Sequence, residues 1–177
     1  PERVDDVAWE NDLTAFRAYG PALQETGERA FGYDIWTKYN TTEPVVEARY
    51  EGELNSDMKA KIAELGKTDP KAAQELYRSV SYHVDHGNGL DCYKVGPTLG
   101  GGTTALMAGD TIIYPYCYAT QEILDNGPLR FTVKLVYNPL VVKGDSTIIE
   151  TRIITLDAGS YCNKTVVSYT NLKETMP

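Results

Sequence analysis

The segment LRFTVKLVY, residues 129–137, alternates apolar and polar side chains from Leu129 to Leu135. Successive side chains of a β-strand point to opposite faces of the sheet, so every second residue shares a face. One face carries Phe131, Val133, Leu135 and Tyr137, and the other carries Arg130, Thr132 and Lys134. The segment therefore predicts a strand with one face in a core and one polar face that holds two cations.

Neighbouring segments show the same strand character. In the C-terminal half they are residues 103–107, 111–120, 147–156 and 164–169, which are rich in Val, Ile, Thr and Tyr and separated by short turn sequences. This spacing predicts an antiparallel meander. Residues 13–19 and 31–39 are predicted N-terminal strands, with 47–50 as a weaker candidate. We therefore expect a mainly β protein, an antiparallel β-sandwich.

A short helical insertion is predicted around residues 56–80. Ser56 or Asp57 is predicted to cap a first helix, and Asp69 followed by Pro70 begins a second, because proline is favoured just after a helix cap. Leu76 and Val80 share one face, so we expect the second helix to lie on the sheet.

Bulk properties limit the classes of function. The 177 residues are expected to form a single domain, 1–177, which begins at Pro1 because an N-terminal segment was removed, or which is a piece of a longer protein. A net charge of −8 argues against nucleic acid as the main partner, and no apolar run is long enough to span a membrane. Cys92, Cys117 and Cys162 lack zinc spacing and form either one disulfide with a free thiol or three buried thiols.

The segment SYHVDHGNGLDCYKVGPTLGGG, residues 81–102, concentrates the groups that acid–base chemistry needs. It contains both histidines, His83 and His86, together with Asp85 and Asp91, and then Cys92, Tyr93 and Lys94. Its glycines allow the backbone to approach a ligand closely. Alternation places Cys92 towards the core and Tyr93 towards a cleft. The alternative is a solvated loop without function.

A second cluster, Trp9-Glu10-Asn11-Asp12, combines carboxylates, an amide and an indole, as sugar sites often do. It is equally typical of a turn with a packed tryptophan. Arg130 and Lys134 either bind an acidic ligand or face solvent. Arg152 interrupts an apolar strand and needs a carboxylate partner or an acidic ligand if its face is covered.

The runs DDVAWENDLTAFRAYGPALQ (5–24), YHVDHGNGLDCYKVGPTLGGG (82–102), NGPLRFTVKLVY (126–137) and RIITLDAGS (152–160) carry a resemblance. They resemble a family of bacterial proteins of unassigned function, found mainly in Bacteroidetes with polysaccharide-utilisation gene clusters. The later strands also resemble galactose-mutarotase-like supersandwiches, in which a polar β face binds sugars. The resemblance implies an exported protein, periplasmic or extracellular, that acts on glycans.

The leading hypothesis is a lyase or dehydratase that acts on uronate-containing oligosaccharides by β-elimination. His83 or His86 would be the base, Tyr93 the acid, and Asp85 or Asp91 would orient a histidine. Lys94, Arg17 and Arg130 would bind the carboxylate, while Glu10 and Asp12 would bind sugar hydroxyls. No cofactor is expected, although a divalent metal at the histidine segment is an open alternative.

Three other functions stay open. A glycoside hydrolase would use Glu10 and Asp91 as its two carboxylates. A mutarotase-like epimerase would need a histidine and a carboxylate. A binding module without catalysis would stack sugars on Trp9, Tyr82 and Tyr93. If one site exists, His83, His86, Asp91, Tyr93 and Lys94 should border one cleft that also receives Glu10 and Arg17.

Overall fold

The computed structural model describes residues 3–39, 43–92 and 94–173. Within these ranges the chain forms eleven strands and four helices. In chain order they are β1 (Val7–Glu10), β2 (Thr14–Ala18), α1 (Pro21–Glu25), β3 (Tyr33–Lys38), α2 (Val46–Leu54), α3 (Ser56–Thr68), α4 (Pro70–Val80), β4 (Gly89–Asp91), β5 (Leu106–Ala108), β6 (Thr111–Ile113), β7 (Tyr118–Asn126), β8 (Arg130–Tyr137), β9 (Leu140–Val142), β10 (Asp145–Asp157) and β11 (Lys164–Thr170).

The strands form two main antiparallel sheets. The first sheet has the order β1-β2-β3-β4, and the second has the order β11-β10-β8-β7, with β9 paired to β10. Strands β5 and β6 form a separate hairpin. The predicted mainly β, antiparallel fold is confirmed.

The main core lies between the two sheets. Buried side chains of the first sheet meet those of the second there, and they include Trp9, Phe16, Tyr33, Val133, Leu135, Tyr137, Ile154 and Leu156. Val133 and Leu135 are fully buried, while Thr132 and Lys134 are partly exposed on the opposite face. The alternation in β8 therefore predicted the buried face correctly.

Helix α2 covers the outer face of the first sheet. Val46 and Tyr50, one turn apart, pack on Trp36 and Ala15 of the sheet. Sequence analysis assigned residues 47–50 to a weak strand, and this was wrong. A helix forms here because of a tertiary contact. The Glu10 carboxylate accepts hydrogen bonds from the backbone N–H groups of Val45 and Val46, at the start of the helix.

The helical insertion is confirmed as α3 and α4. Asn55, rather than Ser56 or Asp57, caps α3, because its side chain accepts hydrogen bonds from Asp57 N and Met58 N. Asp69 caps α4 as predicted. Helix α4 packs on α3 and α2 and buries only Ala73, so the expectation that it lies on the sheet was wrong.

Several strands differ from the predicted ones, since β4 and β9 were not predicted and β5 covers Leu106–Ala108 instead of 103–107. Strand β1 was not predicted, and it places Trp9 and Glu10 in the first sheet instead of a turn. The predicted strand 111–120 is split by residues 114–117 into β6 and β7. No helix in the described part of the chain is both long and apolar enough to cross a membrane.

Candidate functional site

The histidine segment leaves α4 and is fixed to the first sheet at both ends. Glu53 of α2 accepts a hydrogen bond from Tyr82 N, and Asp91 N donates to Tyr82 O at 2.9 Å. Strand β4 then pairs with β3. Gly89 has φ +98°, and a Cβ atom there would lie 1.8 Å from Thr37 O, so only glycine fits. These contacts fix the backbone of the histidine segment, and with it the positions of the side chains that the segment contributes to the site.

His83 and Asp91 form the polar centre of this segment. Asp91 is buried, whereas the His83 side chain is 48% exposed. His83 Nδ1 lies 3.4 Å from Asp91 O and 3.8 Å from Asp91 Oδ2. In the tautomer that donates from Nδ1 to Asp91 O, Nε2 carries no proton and can accept one.

A cavity of about 560 Å³ lies beside this pair and is called the His83 cavity here. Its volume falls in the range of small-ligand sites, roughly 300–1,000 Å³. It is lined by Arg17, Tyr19, Gly27, Glu28, Arg29, Asp34, Tyr82, His83, Asp91, Lys94, Gly96 and Pro97. Four residues predicted for one site, Arg17, His83, Asp91 and Lys94, thus share one cavity.

The cations of the His83 cavity differ in their availability. Arg17 is buried, forms an ion pair with Asp34, and donates hydrogen bonds to Tyr50 Oη at 2.7 Å and Tyr19 Oη at 2.9 Å. Because Arg17 already has these partners, the structure does not support the expectation that it binds a substrate carboxylate. Arg29 and Lys94 are exposed, and neither forms an ion pair with a residue in the described ranges. These two remain available to an anionic ligand.

Sequence analysis missed Tyr19. It follows β2 directly, is only 9% exposed, and lines the His83 cavity. Arg17 Cζ lies 4.6 Å from the centroid of its ring. Burial raises the pKa of Tyr19, and the nearby Arg17 charge opposes that shift. The i, i+2 spacing of Arg17 and Tyr19 on one strand face was the available signal.

Two predicted residues of the histidine segment, His86 and Asp85, do not contribute to the His83 cavity as expected. His86 is absent from its lining, and its Nε2 lies 3.0 Å from Ser81 O. Asp85 holds a turn: it accepts hydrogen bonds from Gly87 N and from the Tyr39 hydroxyl, which lowers its pKa. It therefore orients the turn, not a histidine. Tyr93 lies outside the described residues.

Cys92 was expected to face the core, and this was wrong. It is exposed, and its Sγ donates to Ile35 O. All three cysteines are free, with only Cys117 buried, so neither cysteine alternative applies. Within residues 3–39, 43–92 and 94–173 there is no group of three or more His, Cys, Asp or Glu side chains that could hold a metal ion.

The second predicted cluster lines a different space. A cleft of about 810 Å³ between the edge strands β1 and β7 is lined by Trp9, Glu10, Asp12 and Arg130, but not by His83. Arg17 and Glu10 share only a smaller cavity of about 260 Å³. The predicted single cleft is therefore divided, with the histidine segment on one side of Arg17 and Glu10 on the other.

Side chains of the second cluster already have structural partners. Trp9 is 3% exposed in the main core, and its Nε1 donates to Asn163 Oδ1, so it cannot stack on a sugar. Glu10 accepts a hydrogen bond from Lys38 Nζ at 2.7 Å and another from the backbone N–H of Val45, the residue before α2. Asp12 accepts from Gly159 N at 2.7 Å. The packed-residue alternative describes this cluster better than the sugar-site alternative.

The remaining predicted cations are also paired. Arg130 forms two hydrogen bonds with Asp157 across the β8–β10 pair, at 2.5 and 3.0 Å, and both groups are half-exposed. Arg152 is fully buried and has the carboxylate partner that sequence analysis required, Glu150. Its Cζ also lies 4.3 Å from the Tyr137 ring centroid. Neither cation lines the His83 cavity.

Comparison with known proteins identifies the family. The family model described as "Domain of unknown function (DUF4861)" matches residues 1–177. The chain belongs to the DUF4861 family. The DUF4861 chain is also 30% identical over 167 residues to "Uncharacterized protein P7" of Formosa agariphila, a match that covers 90% of this chain and 36% of that protein. The chain thus spans about a third of the length of this curated relative. No solved structure matches this chain.

Proposed function

We propose that this chain acts on uronate-containing oligosaccharides by β-elimination, as a lyase or dehydratase, and that the reaction takes place in the His83 cavity. One observation carries the proposal. A half-exposed histidine lies against a buried aspartate in a cavity that also presents two cations, Lys94 and Arg29, which form no ion pair with any residue that the structure describes. Of the carboxylates in the same lining, Glu28 is paired with Arg3 and Asp34 with Arg17, so Lys94 and Arg29 are left to attract an anionic ligand in a protein with a net charge of −8.

The arrangement supplies a base and carboxylate-binding cations for β-elimination. His83 Nε2 takes the proton from the carbon next to the uronate carboxylate, and the C–H electrons form the new C=C bond. The C–O bond on the neighbouring carbon breaks, and its oxygen leaves with a proton. Lys94 and Arg29 stabilise the carboxylate while enolate charge develops. Asp91 keeps the Nδ1 proton in place and stabilises the imidazolium.

The alternatives receive less support. Glu10 and Asp91 line different cavities, so they do not form the carboxylate pair of a hydrolase. Trp9 is buried in the main core, and the Tyr82 ring already packs against the rings of Trp36, Tyr50 and His83, so a binding module that stacks sugars on these two rings receives less support. An epimerase would use the same His83 and Asp91, but it would form no unsaturated product.

The proposal extends to the setting of the protein. The resemblance to proteins of polysaccharide-utilisation clusters and to mutarotase-like supersandwiches supports a glycan substrate, and a periplasmic or extracellular location follows from where such polymers occur. Fractionation of the native cells tests the location. A protein found only in the cytoplasm would contradict it.

Incubation with a panel of uronate-containing oligosaccharides, followed by the absorbance of a new C=C bond, tests the reaction. His83→Ala should lower the rate by roughly 10²–10⁴-fold, the usual contribution of a general base. His86→Ala is the matched control, since this second histidine does not line the cavity, and it should retain the wild-type rate. A wild-type protein inactive on every uronate, or equal losses in both variants, would refute the proposal.

A further inference from the structure

Tyr19 presents a buried hydroxyl to the His83 cavity. It lines the cavity with His83 and Lys94, and only 9% of its surface is exposed. The proposed reaction needs a group that protonates the leaving oxygen, and the residue predicted for it, Tyr93, lies outside the described ranges. The inference below therefore rests on the proposed function and completes its chemistry.

The hydrogen bonds of the Tyr19 hydroxyl leave its proton available for donation. Arg17 Nη2 donates to the phenol oxygen at 2.9 Å, so one acceptor position of that oxygen is occupied by a cation. No residue in the described part of the chain accepts the proton of the Tyr19 hydroxyl. A buried hydroxyl whose proton has no protein acceptor takes its partner from the open side, where it can donate to ordered water or to a ligand atom.

The surroundings suit an acid rather than a base. Burial raises the pKa of Tyr19, so the phenol keeps its proton at neutral pH. Once the proton has been donated, the phenolate lies directly against the Arg17 guanidinium, and Arg17 also lies over the ring. This charge-assisted bond strengthens as negative charge develops on the oxygen.

We infer that Tyr19 is the general acid of this site. As His83 Nε2 takes the proton next to the carboxylate and the C–O bond breaks, the Tyr19 hydroxyl gives its proton to the departing oxygen. The products are an unsaturated uronate and an alcohol or water, with imidazolium at His83 and phenolate at Tyr19. Transfer of the proton from the imidazolium to the phenolate through solvent restores both groups.

Tyr50 provides a matched control. Its hydroxyl also accepts a hydrogen bond from Arg17, at 2.7 Å, and it is also buried. It lines the smaller cavity with Glu10 and not the His83 cavity. Tyr19→Phe and Tyr50→Phe therefore each remove one hydroxyl from the same guanidinium, but only the first removes a proton donor from the site.

The test compares two substrates that differ in the leaving group: a uronate with an oxygen leaving group, and its analogue with fluoride at that position. Fluoride departs with little need for a proton. Tyr19→Phe should lower kcat by roughly 10²–10⁴-fold on the first substrate and by less than about 10-fold on the second. Tyr50→Phe should change both rates by less than about 10-fold. Equal losses of Tyr19→Phe on both substrates, or losses matched by Tyr50→Phe, would overturn the role of Tyr19.

Exchange of the substrate hydrogen in D₂O separates this inference from the proposed function. Tyr19→Phe should still exchange the hydrogen next to the carboxylate, whereas His83→Ala should not. If wild-type protein neither exchanges this hydrogen nor turns over either substrate, the proposed function itself fails. If Tyr19→Phe does not fold, replacement of Tyr19 by 3,5-difluorotyrosine keeps the shape and makes the phenol more acidic. The upper limb of the pH–rate profile should then move to lower pH, and an unchanged profile would refute the inference.

Discussion

Asp6 shows how burial can outweigh two neighbouring positive charges. Its Oδ2 lies 3.7 Å from Arg17 Nε and 3.8 Å from Arg3 Nε, which is too far for a hydrogen bond. Among the residues that the structure describes, only Oδ1 has a direct donor, Gly20 N, at 3.0 Å. Burial therefore dominates and raises the pKa of Asp6 to about 7. The folded protein thus binds this proton more tightly than the unfolded chain does.

This shift predicts a pH dependence of stability. A carboxyl whose folded pKa is raised loses stabilisation as pH rises from its unfolded pKa, about 4, to its folded value near 7. Asp6→Asn removes the titration, so the free energy of unfolding of the wild type, relative to this variant, should fall by up to about 4 kcal/mol over that interval. Urea denaturation at several pH values measures it, with exposed Asp110→Asn as the control. A constant difference between wild type and Asp6→Asn would contradict the raised pKa.

Helix α2 illustrates an element whose identity depends on a distant residue. Its own sequence gave a weak strand signal, and the N-cap residue, Val45, has no capping side chain. Glu10, 35 residues earlier, supplies the missing acceptor for Val45 N and is itself held by Lys38, whose side chain is 1% exposed. Helices α3 and α4 carry caps of their own, Asn55 and Asp69. Local signals therefore predicted those two helices but not α2.

Glu10→Gln should destabilise the protein by about 2–4 kcal/mol, because it weakens the start of α2 and leaves the buried Lys38 ammonium without its carboxylate. Chemical denaturation measures the loss. Glu47→Gln is the control, since Glu47 lies in the first turn of the same helix but is exposed, and its effect should stay below about 0.5 kcal/mol. Equal effects of the two substitutions would show that Glu10 acts only as a surface charge.

Local sequence patterns predict the buried faces of the strands in this molecule, but they do not predict how the site is assembled. Alternation in β8 predicted which side chains enter the core, because a period of two is a local property of a strand. The site depends on long-range closure instead: Arg17 and His83 are 66 residues apart, and β3–β4 pairing brings their segments together. The local sequence predicted polar clusters around Trp9 and His83. It could not show that Arg17 lies between them and that they line different cavities.

The packing of the two sheets yields a prediction for the whole fold. Leu135 is fully buried between them, and Ile153 lies on the outer face of the same sheet, 37% exposed, on the neighbouring strand. Leu135→Ala should lower the free energy of unfolding by about 2–5 kcal/mol, since it removes buried apolar surface and leaves a cavity that the close-packed sandwich cannot fill. Ile153→Ala removes a similar aliphatic group where solvent already reaches it, so its cost should stay below about 1 kcal/mol. Urea denaturation of both variants gives the comparison. If Ile153→Ala is the more costly of the two, the outer face is the one that is covered in solution, and the assignment of the core between the sheets is wrong.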